Sequence, residues 1–236
     1  GFANKFTPYY TYTELENGLE IQQLMLSGSI AFNKDVSVTY DLPMGEQIDY
    51  SGLPAPGNAE PTASGMGDLV LRFLVKPPSM QFKGSSHIFG METTFPTANK
   101  PALGGDVTVM SPMYVYVKDV QITGPGFVAL ANLYDFDLFK SAGQKTVSRY
   151  RGRWFAMIPL ARPGPNLLDG LYLLPELTPV YDVERDDNKF SLWFAPELGK
   201  LLSKKMVVYA KPGWGVVKDD PADRDFTFEL GFRYFM

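Results

Sequence analysis

The chain contains no cysteine and no run of apolar residues long enough to form a membrane helix. Without cysteine it has neither disulfide bridges nor thiolate metal sites. A transmembrane helix needs about 18 or more consecutive apolar residues, and the best candidate, LVLRFLV, is interrupted by Arg72. The sequence therefore excludes helical membrane spans.

Charged residues are also scarce, at 20% of the 236 residues, where soluble domains average about 25%. The net charge of -4 and the lack of a basic stripe with interleaved aromatic residues argue against a nucleic-acid partner. Aromatic residues, in contrast, make up 14% of the chain, and 22 glycines and 19 prolines separate short apolar segments. This composition is typical of an all-β protein.

Histidine is nearly absent as well. The single one, His87, follows Ser85 and Ser86 in a segment that reads as a turn. A serine–histidine hydrolase needs an orienting acid and an oxyanion hole, and the residue spacing supplies neither. We therefore expect no enzymatic activity, no metal site and no cofactor.

Apolar and polar residues alternate along segments of about ten residues. In the last segment, FTFELGFRYFM, the apolar phase contrasts with a polar phase made of Thr227, Glu229, Gly231 and Arg233. A period of two indicates a β-strand. About ten residues is the length with which a strand crosses a bilayer at a tilt of about 45°. Strands of soluble sandwiches average about five or six residues.

Twelve such segments can be counted, an even number as in bacterial outer-membrane barrels. The sequence predicts one domain over residues 1–236, a transmembrane antiparallel β-barrel of about twelve strands in the bacterial outer membrane. Because the chain opens with GFANKF, which lacks the features of a signal peptide, we expect the signal peptide to be already removed. The predicted strands lie near residues 5–14, 19–33, 35–46, 66–77, 86–97, 106–118, 125–138, 148–161, 168–183, 189–201, 205–217 and 224–236.

Three sequence elements occur together in this chain: GMGDLVLRF from Gly65 to Phe73, ETTFPT from Glu92 to Thr97, and the aromatic-rich last strand. In this combination the chain resembles the outer-membrane channel family known as the MetA-pathway of phenol degradation. The resemblance extends over nearly the whole chain. It implies a channel for the uptake of small hydrophobic compounds, with a lumen and a lateral route, but no particular binding residue.

Several prolines lie on the apolar face of the predicted strands. Centring two hairpins near Asp186 and Ser203 puts Pro175 opposite Glu197, and Pro196 opposite Ala210 and close to Pro212. Proline removes a donor from the strand ladder, and an unpaired backbone group in lipid costs several kcal/mol. We therefore predict a bent or interrupted wall that opens laterally. The prolines predicted to mark kinks or this opening are Pro112, Pro159, Pro175, Pro179, Pro196 and Pro212.

The prolines have a second interpretation, in which they only mark bulges at the rims of the barrel. In that case the wall is closed in its membrane-spanning part, and no lateral route follows from them.

Charged residues fall on the inward phase of the predicted strands. Centring the last hairpin near Asp220 places Lys211 directly opposite Glu229. Such charges either fill the lumen as a network or steer solutes through it. The charged residues predicted to line the lumen are Arg149, Arg151, Arg153, Glu176, Glu197, Lys211 and Glu229.

The leading hypothesis is an outer-membrane channel for small hydrophobic molecules. We expect it to be passive, because the sequence shows no nucleotide-binding loop and no energy-coupling plug domain. A narrow general or ion-conducting porin for polar solutes is an alternative. A soluble β-sandwich or lipocalin-like binding protein also has alternating strands, but it would purify without detergent. The expected partners are outer-membrane lipids, lipopolysaccharide, a small hydrophobic solute, and the barrel-assembly machinery through the C-terminal strand.

Overall fold

The computed structural model describes residues 2–49, 62–98, 103, 107–121, 124–139, 148–164, 166, 168–183, 189–219 and 223–236. Within these residues the chain forms fourteen β-strands and a short 3-10 turn, Pro78–Met80. In the described ranges no helix is long and apolar enough to cross a bilayer. The strands are β1 (Lys5–Leu15), β2 (Glu20–Ala31), β3 (Val36–Asp49), β4 (Thr62–Gly65), β5 (Leu69–Val75), β6 (Gln81–Phe82), β7 (Ser85–Phe95), β8 (Thr108–Gln121), β9 (Pro125–Phe139), β10 (Ser148–Pro159), β11 (Leu171–Asp182), β12 (Phe190–Ser203), β13 (Met206–Val217) and β14 (Arg224–Phe235).

The strands form one antiparallel sheet that closes on itself. Strand β14 pairs with β1, β1 with β2, and β2 with β3, so the ring has no free edge among the described strands. Strands β4 and β5 both pair with β3 and share one wall position, and β6 is a two-residue extension along β7. The described residues therefore form a closed barrel of twelve wall strands, which confirms the predicted fold.

Two local predictions are wrong. The strand predicted over 66–77 is shorter, Leu69–Val75, and a separate strand that was not predicted, Thr62–Gly65, precedes it. His87 belongs to β7 and not to a turn, because the turn ends at Gly84, whose φ of 72° suits a residue without a side chain. The His87 ring packs among aromatic residues, and its Nδ1 lies 2.8 Å from the hydroxyl of Tyr114.

The outer surface of the barrel is apolar and the inner surface carries most of the charge. Leu230 and Phe73 are 54% and 49% exposed in the isolated chain. On the opposite phase, Glu197 and Asp135 are almost completely buried. A lipocalin-like protein would show the reverse arrangement, with an apolar interior that holds the ligand, so the structure disfavours the soluble alternative. An exposed apolar band of this extent requires a cover of lipid.

We predict that single cysteines at Phe73, Leu230 and Phe232 react with a lipid-soluble maleimide and are spared by a charged, membrane-impermeant thiol reagent, because these side chains face the acyl chains. The chain has no cysteine of its own, so labelling of each variant reports one site. Thr227→Cys, on the inward phase of the same strand as Leu230, is the matched control and should prefer the charged reagent. The opposite preference at both kinds of site would contradict the barrel orientation.

Candidate functional site in the barrel lumen and wall

Charged side chains on the inner face pair with one another across the lumen. Arg151 on β10 binds two carboxylates, with Nε 2.6 Å from Oδ2 of Asp135 and Nη2 2.6 Å from Oε1 of Glu92. Glu92 also accepts a hydrogen bond from Nε of Arg72 at 2.6 Å, and Arg72 pairs with Asp41 on β3. Since β7 and β10 are three wall positions apart, the Arg151–Glu92 pair spans part of the lumen.

A second group of ion pairs lies on the inner face of the five consecutive strands β10 to β14. Arg153 holds Glu176 through two parallel hydrogen bonds, from Nε at 2.8 Å and from Nη2 at 2.9 Å, and Nζ of Lys211 lies 3.0 Å from the same carboxylate. Arg233 makes a similar contact with Glu197, with its two nitrogens at 2.5 and 2.6 Å. Both carboxylates are buried. Breaking such a pair is destabilising, because removal of one partner leaves an uncompensated buried charge.

The structure places the seven predicted lumen charges on the inner face. Lys211 lies directly opposite Glu229 in the β13–β14 ladder. Their hydrogen bonds nevertheless go elsewhere, since Lys211 binds Glu176 and Glu229 accepts a hydrogen bond from the hydroxyl of Tyr209 at 2.6 Å. Arg149 places its Nε 3.2 Å from the Asp135 carboxylate.

The sequence did not identify five of these eleven ion-pair partners. Arg72 and Arg233 were recognisable as residues of the polar phase, but nothing in their spacing showed which carboxylate each would bind. Asp135 lies between Tyr134 and Phe136 in β9. The alternation of this carboxylate with two aromatic residues was the sequence pattern that could have indicated an inward-facing charge. The missed residues are Asp41, Arg72, Glu92, Asp135 and Arg233, with the tyrosines Tyr172 and Tyr209.

A polar cavity of about 200 Å³ lies inside the barrel, between the ion pairs of β11 and β13 and an uncharged stretch of the inner face of β1 and β2. This lumen cavity has carboxylates and an ammonium on one side and hydroxyl and amide groups on the other. Water and small ions are therefore its natural occupants. Its lining includes Glu176, Lys211, Glu229, Tyr9, Thr11 and Gln23.

The wall aligns three prolines at one height. Pro175 pairs directly with Pro196 across β11 and β12. The prediction that placed Pro175 opposite Glu197 is therefore wrong by one residue. It depended on a turn centred at Asp186, which lies outside the described residues.

Pro196 in turn lies opposite Pro212 on β13. The predicted partner, Ala210, is wrong by two residues, because the turn between β12 and β13 is formed by Lys204 and Lys205 and is followed by a register shift in β12. The paired residues on either side of the two prolines are Phe194 with Trp214 and Leu198 with Ala210.

Both ladder donors are missing between Pro196 and Pro212. Pro196 pairs with Pro175 on one side, and Pro212 pairs with Phe228 on the other. Since proline has no N–H, these two are non-hydrogen-bonded pairs. In such a pair the backbone N and C=O of each residue point to the strand on its other side. The two proline nitrogens therefore face each other, and the β12–β13 ladder has a gap there, which we call the proline gap.

Other predicted prolines also coincide with gaps in pairing. Between β10 and β11 the paired residues skip the positions of Pro175 and Pro179. A β-carbon on Gly152 would lie 2.7 Å from the Pro179 ring, so this proline packs directly on a glycine of the next strand. The β8–β9 pairing skips Pro112, whereas Pro159 ends β10.

No family model and no curated protein matches the chain. Solved structures with a similar fold include an outer membrane channel from Pseudomonas putida F1, 16% identical with a TM-score of 0.73, over 99% of this chain and 95% of that one. The NanC porin is 10% identical with a TM-score of 0.65, over 99% of this chain and 100% of that one. The β domain of the Bordetella autotransporter BrkA is 10% identical with a TM-score of 0.55, over 100% of both chains. At these identities the likeness shows the fold alone, and the resemblance to the phenol-degradation channel family stays a prediction.

We predict that a double-mutant cycle between Lys211→Met and Glu176→Gln gives a coupling free energy of about 1 to 3 kcal/mol, because the ammonium binds this buried carboxylate directly. The matched cycle with Glu229→Gln should give a smaller coupling, since Glu229 takes its hydrogen bond from Tyr209. Urea unfolding in lipid vesicles measures both. A larger coupling with Glu229 would show that the two carboxylates have exchanged roles.

Proposed function

We propose that this chain is a passive channel in the outer membrane of a Gram-negative bacterium, which takes up small hydrophobic molecules and releases them sideways through its wall. The observation that carries the proposal is the proline gap, where Pro196 and Pro212 leave both donors of a ladder position missing. A wall that only enclosed an aqueous pore would gain nothing from this gap, because unpaired backbone groups are costly in lipid.

The charged lumen supports a sideways route for an apolar solute. The ion pairs of Arg151 and Arg153 occupy its cross-section, and an apolar molecule offers no hydrogen bonds to replace those of displaced water. Burial among acyl chains, in contrast, stabilises the solute by about 25 cal/mol per Å² of apolar surface. A hydrophobic solute that enters the outer mouth therefore leaves the barrel where the wall allows it.

The apolar outer surface and the likeness in fold to an outer membrane channel and a porin support an outer-membrane location and a channel role. Most of the charged groups of the lumen described above are engaged in ion pairs with one another, which supports a structural role over a catalytic one. These observations support a channel in general terms, and the hydrophobic substrate rests on the proline gap.

A second function is favoured by the lumen cavity. Its polar lining, with Lys211 and Glu229 on one side, suits small ions or polar solutes. A narrow porin for such solutes would use the lumen from end to end and would make the gap in the wall incidental.

Two measurements separate these functions. Uptake of N-phenylnaphthylamine, which fluoresces in phospholipid and is excluded by lipopolysaccharide, should be faster in cells that produce the chain than in cells that do not. Conductance in planar bilayers measures the lumen. High conductance without any gain in probe uptake would favour the porin and overturn the hydrophobic channel.

We predict that Pro196→Val together with Pro212→Val lowers uptake of this probe and changes ion conductance much less. Valine restores both donors, and each new ladder bond should stabilise the barrel by about 0.5 to 1.5 kcal/mol, which stiffens the wall. Pro159→Val, at the end of β10, is the matched control and should leave uptake unchanged. An equal loss of uptake and conductance, or no loss of either, would show that the two prolines shape the barrel without serving a lateral route.

A further inference from the structure

The wall has a second interruption, centred on β3. On the β2 side of β3, Leu24 pairs with Gly45 and the next residue pairs with Pro43, so Met44 is an extra, bulged residue. On the other side, β3 pairs with β5 up to Asp41 and with β4 only from Glu46 onward. Both ladders of β3 are therefore irregular at the same height. We call this interruption the β3 break.

A backbone bond from the N–H of Gly67 to the carbonyl oxygen of Pro43, at 3.2 Å, crosses the β3 break, and side-chain hydrogen bonds hold the segment 67–69 to the end of β7. The backbone N–H of Leu69 donates to Oγ1 of Thr97 at 2.8 Å, and that hydroxyl lies 3.3 Å from the carbonyl oxygen of Gly67. The N–H of Ala98 donates to the Asp68 carboxylate at 3.0 Å. Because these bonds satisfy backbone groups beside the gap, the break is a built feature of the fold. Its bonding residues come from the GMGD and ETTFPT elements of the sequence.

An outer-wall cavity of about 420 Å³ opens at this break. Apolar side chains on the outward phase line it, and Leu24, Met44 and Met66 are 51%, 44% and 38% exposed there. Amide and hydroxyl groups of Gln22 and Tyr10 add a polar edge, joined by a hydrogen bond of 3.0 Å. Its opening is on the outer surface of the barrel, so an apolar molecule that enters or leaves it does not pass through the lumen.

One residue is common to the linings of this outer-wall cavity and the lumen cavity. Gln23 lines both of them. It is held by two hydrogen bonds, one accepted from the Thr11 hydroxyl at 3.2 Å and one donated to Glu46 at 2.9 Å. Rotation of the Gln23 carboxamide would therefore join the interior of the barrel to the bilayer.

Glu46 differs from the other buried carboxylates of the lumen. Glu92, Glu176 and Glu197 each bind an arginine. Glu46 is 8% exposed, and its contact in the part of the chain that the structure describes is the Gln23 amide. A carboxylate can accept about four hydrogen bonds, so Glu46 keeps acceptor capacity for a donor on a passing molecule.

A glycine keeps the Glu46 carboxylate at the wall. A β-carbon on Gly67 would lie 2.2 Å from Oε2 of Glu46. Any larger residue at this position would push the carboxylate away from the break.

We propose that the β3 break is the lateral exit of the channel, that Gln23 is its gate, and that Glu46 recognises apolar molecules carrying one hydrogen-bond donor. This inference rests on the proposed function and adds the place and the chemistry of the exit. It assigns the exit to the β3 break, while the proline gap on the far side of the ring lets the barrel flex.

A reversible cross-link tests the exit. Gly45→Cys with Met66→Cys places two thiols on the outward phase next to the Glu46–Gly65 pair, on either side of the break. Oxidation should reduce uptake of N-phenylnaphthylamine to the level of cells without the chain, and reduction should restore it, while conductance through the lumen is retained. Val38→Cys with Phe73→Cys, which pair on the same face of the same wall where the ladder is regular, is the matched control and should not change uptake on oxidation.

The outcomes separate the two proposals. If the reduced double-cysteine protein and the wild type show no probe uptake, the proposed function itself fails. If uptake is present and survives the cross-link between positions 45 and 66, only the assigned exit fails.

A second variant tests the recognition by Glu46. Glu46→Gln keeps the size of the side chain but removes its charge and one acceptor oxygen. Uptake of N-phenylnaphthylamine, which carries one N–H donor, should fall relative to uptake of diphenylhexatriene, which carries none. An equal change for the two probes would show that Glu46 serves the gate without recognising the solute.

Discussion

Backbone hydrogen bonding in a lipid environment is the constraint on which this structure depends. In the acyl-chain region no water is available to unpaired N–H and C=O groups, so a sheet must close into a ring. The closure of β2 on β3 and of β14 on β1 meets this requirement. Each departure from regular pairing is then informative, because it either costs stability or is compensated by another group.

The lumen follows from the same closure. A ring of twelve strands encloses more space than apolar side chains on the inner phase fill, and most of the buried carboxylates on the inner phase here bind an arginine. Arg151 connects strands that are not neighbours, which holds the ring to a fixed shape. The stretch of β1 and β2 that lines the lumen cavity is the exception, since Thr11 and Gln23 supply hydrogen bonds there without charge.

The period-two pattern was sufficient to predict the twelve wall strands, because one face of each must meet lipid and the other must not. It was not sufficient for register. The turn between β12 and β13 lies at Lys204 and Lys205 and not at Ser203, and together with a bulge near Leu201 this moves the partner of Pro196 from the expected Ala210 to Pro212. The period-two pattern also could not identify ion-pair partners such as Glu92 and Arg151. Closure of the ring brings these two residues together, and their spacing in the sequence does not reflect that closure.

The two kinds of wall interruption differ in how their backbone groups are satisfied. At the proline gap both N–H donors are absent, so fewer hydrogen bonds join the two strands. The groups left without a ladder partner are the two carbonyls that would have accepted those bonds. At the β3 break, the N–H of Gly67 bonds the carbonyl of Pro43, and Thr97 and Asp68 hold the adjoining segment to the end of β7. The break lies nearly opposite the prolines in the ring. In the proposed lateral exit, the missing ladder bonds at the proline gap allow the ring to widen at the β3 break with little change in its remaining ladders.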